Sequence, residues 1–307
     1  MKRFSTFSRR VRSRGDHYLL WSRILAQDLA RYINWNIRGG RSLYESSWRE
    51  IASHHKWCFI IGCNNSGTSL LQRMLDQTGQ VSTFQYEGQR YTRALERSER
   101  KKYERVWSEY IDDLILRPED GFEIAPRLVH DWIYSLGNNL QPIIVEKTPA
   151  NTVRMRWLQE VFPNSYFIGL VRNGYAVVEG TRRKSNKSIE RSAIHWNKVN
   201  HVMFDEARGI NNFLLLKYED IARNPKTVSE SLSNFLGVSS AGLENALGGE
   251  YSLPTVTGEK SQGVKDLNGN SIARLSDEEL NTIYIIAGEM LDHFGYGDPK
   301  NVRSMYG

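Results

Sequence analysis

A glycine-rich segment between an apolar run and a helical pattern is the feature that most constrains how this chain can fold. Residues 62–69 read Gly-Cys-Asn-Asn-Ser-Gly-Thr-Ser, directly after the apolar run 57–61 and before a helical pattern that reaches Gln77. When a strand turns through glycines into a helix, backbone N–H groups and the helix N-terminus converge on one point, where an anion binds. The segment therefore predicts a phosphate-binding loop inside an α/β sheet.

Short apolar runs and helical patterns alternate along most of the remaining chain. Strands are predicted at 57–61, 143–145, 165–171 and 212–217, and helices at 67–77, 151–161 and 224–237. Short apolar strands separated by helices are typical of a parallel sheet that is buried on both faces. We predict an α/β protein with a three-layer, P-loop-like fold, in which helices flank a central parallel sheet across residues 57–307.

Two segments stand outside this alternation. Residues 1–56 combine a basic, serine-rich tail, which we expect to be disordered, with an amphipathic helix over 17–37 that packs on the domain or, alternatively, lies on a membrane surface. Residues 79–142 form a charged insertion with helices predicted near 94–116 and 127–137. Insertions of this kind in compact domains commonly recognise substrates, so we expect the acceptor cleft there.

Towards the C-terminus, residues 248–270 are rich in Gly, Ser, Thr and Asn, and we predict a loop that orders over a ligand. Ser276 and Glu279 then form a capping box that opens the last long helix, which ends near Gly295.

Charge and composition limit the classes of function. Lys and Arg outnumber Asp and Glu by 41 to 35, an excess that favours anionic ligands but is too small and scattered to indicate nucleic acid. Cys58 and Cys63 provide neither a disulfide framework nor a thiolate metal site, and the histidines lack metal-ligand spacing. No apolar run is long enough to cross a membrane. We therefore expect a cytoplasmic protein without a signal peptide, a membrane span or a metal.

The glycine-rich loop differs from that of nucleoside triphosphatases at one position. Thr68 follows the second glycine, where a Walker A loop has lysine. Without this cation a β/γ-phosphate pair loses its main contact, so a P-loop kinase or triphosphatase is the weaker alternative. A single phosphate joined to a sulfate remains a suitable ligand.

A second anion site is predicted about a hundred residues further along the chain. Arg172 ends the strand 165–171, and a helix with a basic end follows it. An arginine at the carboxyl end of a parallel strand lies in the crevice where open α/β sheets bind ligands, and its planar fork suits a phosphate. Two such sites on one sheet fit a nucleotide that is phosphorylated at both ends.

Residues 59–71 resemble the 5′-phosphosulfate loop of sulfotransferases that use 3′-phosphoadenosine-5′-phosphosulfate (PAPS), and residues 165–174 resemble the 3′-phosphate motif of that family. Further matches at 146–149, 214–221, 224–225, 235–237 and 294–296 keep the family order, with the pattern most similar to the tyrosylprotein and carbohydrate branch. The resemblance implies a sulfotransferase domain over 57–307. It also implies transfer of a sulfuryl group from PAPS to a hydroxyl or amine, which leaves adenosine 3′,5′-bisphosphate.

The resemblance also implies which residues bind the donor. They are Asn65, Ser66, Gly67, Thr68 and Ser69 of the loop, with Arg172, Gly180, Lys184, Tyr218 and Lys265. Asn65 stands where the family usually has Arg or Lys, and Gly180 stands where it has Ser. These two departures motivate a further alternative, a non-catalytic binder of nucleotides or anionic glycans that is derived from the fold.

For catalysis, the resemblance implies Glu87 as the base that takes the acceptor proton and Lys147 as the group that stabilises the leaving group. Arg90 and Arg93 are expected to contact the acceptor. The sequence leaves the acceptor open between a glycan, a peptide and a small molecule, and it leaves the oligomeric state open.

Overall fold

The computed structural model describes residues 26–98, 103, 105–255 and 258–306, with the backbone alone along 250–255 and 258–263. Its strands are β1 Lys56–Gly62, β2 Val81–Thr83, β3 Ile143–Lys147, β4 Ser165–Val171, β5 Phe213–Lys217, β6 Glu250–Thr255 and β7 Gly258–Gly263. After α1, which covers 26–37, the helices of the first half are α2 Gly40–Ser53, α3 Thr68–Gln77, α4 Ile111–Leu114, α5 Ala125–Leu136 and α6 Met155–Val161. Those of the second half are α7 Gly174–Ser185, α8 Ile189–Ala207, α9 Tyr218–Arg223, α10 Pro225–Leu236, α11 Ser240–Leu247, α12 Asn268–Ile272, α13 Asp277–His293 and α14 Pro299–Tyr306. Short 3-10 helices cover Gly88–Tyr91, Trp107–Tyr110, Pro118–Asp120 and Pro149–Arg154.

A parallel five-stranded sheet in the order β2-β3-β1-β4-β5 forms the centre of the protein. Its middle strand β1 is buried, and successive side chains point to opposite faces, as the period of a strand requires. Trp57, Phe59 and Ile61 join one core cluster, while Cys58 and Ile60 join the other. The predicted α/β fold, with a central parallel sheet flanked by helices, is confirmed.

Each face of the sheet has its own hydrophobic layer. On one face, helices α5, α6, α8 and α13 pack over an aromatic cluster, and the buried rings of this cluster are Trp57, Phe59, Trp132, Phe162 and Phe167. On the other face, α3, α10 and α11 bury aliphatic side chains. Burying a large apolar side chain stabilises a fold by roughly 2 kcal/mol, so these layers fix the sheet that holds the loop.

Most of the strand and helix predictions are confirmed to within a residue or two. The strands 57–61, 143–145, 165–171 and 212–217 correspond to β1, β3, β4 and β5, and the capping box of Ser276 and Glu279 is present. The helix predicted at 151–161 begins with a 3-10 segment and becomes α-helical only at Met155. The edge strand β2 and the helix α2 were not predicted.

The helix predicted near 94–116 is wrong over its first part, and residues 99–102 and 104 of this prediction lie outside the described residues. Residues 92–98 form bends and a turn, and the helical part comes later, in the 3-10 helix Trp107–Tyr110 and in α4. Tertiary hydrogen bonds hold the bends, because Thr92 Oγ1 donates to Asp131 and the Ser98 amide donates to Gln89. These bonds outweigh a weak intrinsic helix preference.

The loop predicted over 248–270 is also wrong, because its backbone forms the antiparallel pair β6 and β7 followed by α12. The polar sequence of β7 and the proline inside β6 obscure the strand pattern in the sequence. That this segment orders over a ligand stays a prediction.

The N-terminal predictions have mixed outcomes. The basic tail and the first part of the helix predicted over 17–37 lie outside the described residues, and residues 26–37 are helical. Leu29 is 60% exposed and Tyr32 is 49% exposed, whereas Arg31 is buried and donates to Ser135 Oγ, so the predicted inward apolar face is wrong at these positions. Within the described ranges, no helix has the length and apolar character needed to cross a membrane.

A substitution of Gly62, at the end of β1, tests how closely β1 packs against β4. Its φ is 128°, and a Cβ there would lie 2.4 Å from the Leu170 carbonyl oxygen on β4. We expect Gly62→Ala to lower the free energy of unfolding by about 3 kcal/mol, measured by urea denaturation. Gly79→Ala is the matched control, because Gly79 also has positive φ but open space around it, and we expect a loss of only about 1 kcal/mol. Equal losses in the two variants would contradict the steric argument.

Candidate functional site

The carboxyl ends of three neighbouring strands carry the candidate groups. Gly62 at the end of β1 pairs with Leu170 of β4, and Ile60 of β1 pairs with Lys147 at the end of β3. The phosphate loop, Lys147 and Arg172 therefore follow strands that end at one edge of the sheet. This edge is where open α/β sheets bind ligands.

The loop after β1 turns through left-handed backbone at Asn65 and Gly67 before α3 begins at Thr68. Ser66 and Thr68 are buried, and within the described structure the Ser66 hydroxyl has no hydrogen-bond partner. Ser69 is half-buried in the first turn of α3. An unsatisfied buried hydroxyl where a helix begins suits an anionic ligand, because the helix N-terminus already presents free amides and positive potential there.

Asn65 links the loop to helix α7. Its Nδ2 donates to Thr181 Oγ1 at 3.0 Å, and its Oδ1 accepts from Lys184 Nζ at 2.8 Å. Arg172 Nη1 donates to the Asn65 backbone oxygen at 3.1 Å. Two of the cations predicted to bind the donor therefore contact the same loop residue.

A cavity of about 250 Å³ opens beside this junction. Four of the residues that line it are basic, namely Arg172, Arg183, Lys184 and Arg274. Arg183 and Arg274 are partly balanced by the buried carboxylate of Glu179, at 2.9 and 3.7 Å. The cavity keeps an excess of positive charge, which fits a phosphate group.

The same crowding affects Lys184. The Lys184 side chain reaches solvent but is partly removed from water by its surroundings. This desolvation is the larger cause, and nearby positive charge the smaller one, that lowers the pKa of Lys184 to about 8. The charges come from Arg105, Arg183 and Arg172. An amine with this pKa titrates close to neutral pH and gains most from an incoming anion.

The Tyr218 ring lies between Gly67 of the loop and Arg172 of the cavity. A Cβ on Gly67 would meet the Tyr218 ring at 2.6 Å, and the Arg172 guanidinium lies 4.2 Å from the centre of that ring. The Tyr218 hydroxyl donates to the Lys265 backbone oxygen at 2.6 Å, while the Lys265 side chain is exposed. Tyr218 therefore leaves no room for a side chain at position 67, and its ring packs against the Arg172 guanidinium.

Glu87 and Lys147, far apart in sequence, form an ion pair. Lys147 Nζ lies 3.0 Å from Glu87 Oε1, and Glu87 Oε2 accepts from Gln89 Nε2 at 2.6 Å. Lys147 is buried and Glu87 is 21% exposed, so the pair faces solvent only through the carboxylate. A carboxylate and an ammonium at one strand edge provide a base and a cation for group transfer.

Glu146 lies beneath this pair and is fully buried. Its Oε1 accepts from the Gly88 amide and from the Thr148 hydroxyl, and its Oε2 accepts from Asn151 Nδ2 at 2.6 Å. Burial raises the pKa of Glu146 to about 7. Glu146 therefore ties the backbone next to Glu87 to the strand end that carries Lys147.

Three predicted residues have less central places. The Arg90 guanidinium lies 5.2 Å from the centre of the Tyr86 ring, and Arg93 is exposed. A Cβ on Gly180 would meet Asn65 at 3.7 Å, which is ordinary contact. The hydroxyl that reaches the loop from α7 comes from Thr181, the next residue.

The structure adds residues that no sequence motif indicated. Trp107 Nε1 donates to Asn64 at 2.8 Å, Arg105 Nη1 lies 3.4 Å from Asn65 Oδ1, and Arg172 Nε donates to Asn268 at 2.8 Å. Their spacing along the chain has no period, so only tertiary folding brings them to the loop. Across the described part of the chain, no group of three or more His, Cys, Asp or Glu is arranged to hold a metal ion.

The family model and the curated relatives that match this chain are all sulfotransferases. A family model described as the sulfotransferase family matches residues 58–241. The chain is similar to protein-tyrosine sulfotransferase A of Caenorhabditis elegans, with 25% identity over 81% of this chain and 69% of that protein. It is equally similar to protein-tyrosine sulfotransferase 2 of Gallus gallus, with 25% identity over 81% of this chain and 68% of that protein. Among solved structures, a sulfotransferase domain from the curacin biosynthetic pathway aligns with a TM-score of 0.49 and 17% identity, covering 78% of this chain and 98% of that domain.

The raised pKa of Glu146 predicts a pH dependence of stability. The folded protein keeps a proton that the unfolded chain releases above the usual value of 4.5, so the free energy of unfolding falls as pH rises from 4.5 to about 7. Glu146→Gln removes this titration, and its amide can face Asn151 Oδ1, which has no partner among the described residues. In urea denaturation from pH 5 to 8, we expect wild type to lose up to about 3 kcal/mol relative to Glu146→Gln.

Glu146→Ala is the matched comparison, because it leaves the donors of Gly88 and Thr148 without an acceptor. We expect it to cost at least about 2 kcal/mol across the same pH range. Parallel pH profiles of wild type and Glu146→Gln would contradict the assignment of a raised pKa.

Proposed function

The chain belongs to the sulfotransferase family, and from that premise we propose that it transfers a sulfuryl group from PAPS to the hydroxyl of a tyrosine in a peptide. The observation that carries the proposal is the Glu87–Lys147 pair, which lies at the strand edge shared by the phosphate loop and Arg172. A base, a cation and two anion sites at one edge are the parts that in-line transfer from a doubly charged donor needs.

The two anion sites divide the donor between them. Ser66 to Ser69, where α3 begins, suit the 5′ phosphosulfate end, and the basic cavity with Arg172 and Lys184 suits the 3′ phosphate. Tyr218 and the backbone at Lys265 lie between loop and cavity. The charge layout of PAPS matches this arrangement, whereas a triphosphate would concentrate its charge at the loop alone.

Glu87 and Lys147 act on opposite sides of the transferred group. Glu87 accepts the proton of the attacking hydroxyl while the new oxygen–sulfur bond forms. Lys147 donates to the oxygen that joins sulfur to the 5′ phosphate, where negative charge collects as that bond breaks. Lys147 Nζ lies 3.0 Å from Glu87 Oε1, so the proposed transfer requires Lys147 to turn from Glu87 towards the donor.

The proposed acceptor is a tyrosine hydroxyl with acidic residues nearby. The curated relatives named above are protein-tyrosine sulfotransferases. Arg90 and Arg93 follow Glu87 on the same segment and supply positive charge beside the base. Glycans and small phenols are the competing acceptors, and the predicted cytoplasmic location stays a prediction.

Ligand-induced shifts of Tm and a transfer assay test the function together. We expect adenosine 3′,5′-bisphosphate to raise Tm and ATP with Mg²⁺ to leave it unchanged. We also expect labelled sulfate to pass from PAPS to an acidic tyrosine peptide and not to the same peptide with phenylalanine. Stabilisation by ATP with Mg²⁺ alone would support a P-loop kinase instead, and donor binding without transfer to any acceptor would support a non-catalytic binder.

Glu87→Gln separates chemistry from donor binding. The amide keeps the size of the side chain but accepts no proton, so we expect kcat to fall by 10² to 10⁴ while the Kd for adenosine 3′,5′-bisphosphate changes less than about threefold. Glu119→Gln, an exposed acid in the same insertion, is the control and is expected to keep full activity. Undiminished transfer by Glu87→Gln would show that another group is the base.

Lys184 predicts how donor binding depends on pH. Below a pKa of about 8 the ammonium is present, so the affinity for adenosine 3′,5′-bisphosphate is highest there and falls as pH rises. Between pH 7 and 9.5 we expect a decrease of roughly tenfold, measured by calorimetry, with proton uptake on binding near pH 8.5. Lys184→Met should flatten this profile, and exposed Lys300→Met should not. A steep profile in Lys184→Met would exclude Lys184 as its source.

A further inference from the structure

The phosphate loop contains no charged side chain. Residues 62–69 consist of glycine, cysteine, asparagine, serine and threonine, so the loop offers only amides and hydroxyls to an anion. A donor with charge at both ends binds tightly only if cations from other parts of the chain reach it. The structure shows which cations do so.

Three cations converge on Asn65. Arg172 contacts its backbone oxygen and Lys184 its side chain, as described above, and both are predicted to bind the donor. The third is Arg105, whose Nη1 lies 3.4 Å from Asn65 Oδ1. Arg105 comes from the insertion 79–142, whereas Lys184 comes from α7.

The backbone around Arg105 is held in place from several sides. Trp107 Nε1 donates to Asn64, the neighbour of Asn65, and the ring of Trp107 is buried. Tyr103 is also buried, and its hydroxyl donates to Asp113 at 3.2 Å. Arg105 itself has a φ of 67°, a conformation that costs about 1 kcal/mol in a residue with a side chain and persists only where the surroundings impose it.

The contact between Arg105 and Asn65 is long for a hydrogen bond, and its acceptor is a neutral amide. A guanidinium bound to a phosphate or sulfate oxygen makes a shorter and stronger, charge-assisted bond. The positive charge of Arg105 also acts on Lys184 at the cavity, where it helps to lower the pKa of the amine. Arg105 is thus in contact with the loop, and its charge acts on Lys184 at the cavity, so an anion bound between loop and cavity lies within reach of its guanidinium.

We propose that Arg105 is a donor-binding residue that brings, from the acceptor-side insertion, the positive charge that the phosphate loop lacks. The inference rests on the proposed function, because it assigns Arg105 to the PAPS-binding site. It also gives the insertion a second task. The insertion that carries Glu87 towards the acceptor then contacts the donor as well.

The experiment compares Arg105→Gln and Arg105→Lys in binding of adenosine 3′,5′-bisphosphate by calorimetry, at low and high salt. Gln keeps a donor for Asn65 but loses the charge, and we expect its Kd to rise about tenfold with a shallower salt dependence. Lys keeps the charge, and we expect its Kd to stay within about threefold of wild type. Arg208→Gln, an arginine that is 80% exposed, is the control with the same substitution.

Asn65→Lys in the Arg105→Gln background tests directly whether Arg105 contributes to donor binding through its charge. If Arg105 supplies charge to the loop, a lysine inside the loop should recover most of the lost affinity. Unfolding without ligand is measured for every variant, and equal Tm values for Arg105→Gln and Arg105→Lys exclude a folding defect as the source of any difference between them.

Two results would overturn the inference while leaving the proposed function in place. One is an Arg105→Gln variant that binds the bisphosphate as wild type does, and the other is an Arg105→Lys variant that loses as much affinity as Arg105→Gln. A wild-type protein that fails to bind the bisphosphate would overturn the proposed function and the inference together.

Discussion

The parallel pairing of β1 with both β3 and β4 is the constraint on which the site depends. Because the register aligns Ile60 with Lys147 and Gly62 with Leu170, three strand ends reach one edge of the sheet within a residue or two of each other. The loop, the ion pair and Arg172 are thereby assembled from distant parts of the chain. Gly62 allows this closeness, because its missing side chain leaves room for the Leu170 carbonyl of β4.

Positive charge is arranged around the phosphate loop rather than within it. Arg172 follows β4, Lys184 lies on α7, and Arg274 follows α12, so each cation is anchored in a different element. A ligand that contacts all of them must span the crevice, and this requirement selects for charge at two separated positions. Burial, and after it the positive charge of Arg105, Arg183 and Arg172, lowers the pKa of Lys184 to about 8.

Buried polar groups beneath the edge hold the ion pair of Glu87 and Lys147 in place. Glu146 accepts three hydrogen bonds from the segments that carry Glu87 and Lys147, and Glu219 accepts from Asn173 and Asn268, which flank Arg172 in sequence and in space. Such carboxylates stabilise a single arrangement because each unsatisfied buried donor costs about 1 to 3 kcal/mol. This buried layer therefore holds the segments of Glu87, Lys147 and Arg172 in one arrangement.

The sequence by itself determined the strands β1, β3, β4 and β5 and the glycine turn from β1 into α3, because these depend on local patterns of apolar residues and glycines. Glu87 and Lys147 were candidates only through the resemblance of their segments to a known family. The sequence did not reveal the hairpin of β6 and β7 or the irregular backbone near Arg105, where hydrogen bonds between distant segments outweigh local preference. Only the tertiary structure decided that Glu87 meets Lys147 and that Arg105 reaches Asn65. The physical reason is that a contact between residues far apart in the chain is set by how strands pair and layers pack, and no local period in the sequence encodes that distance.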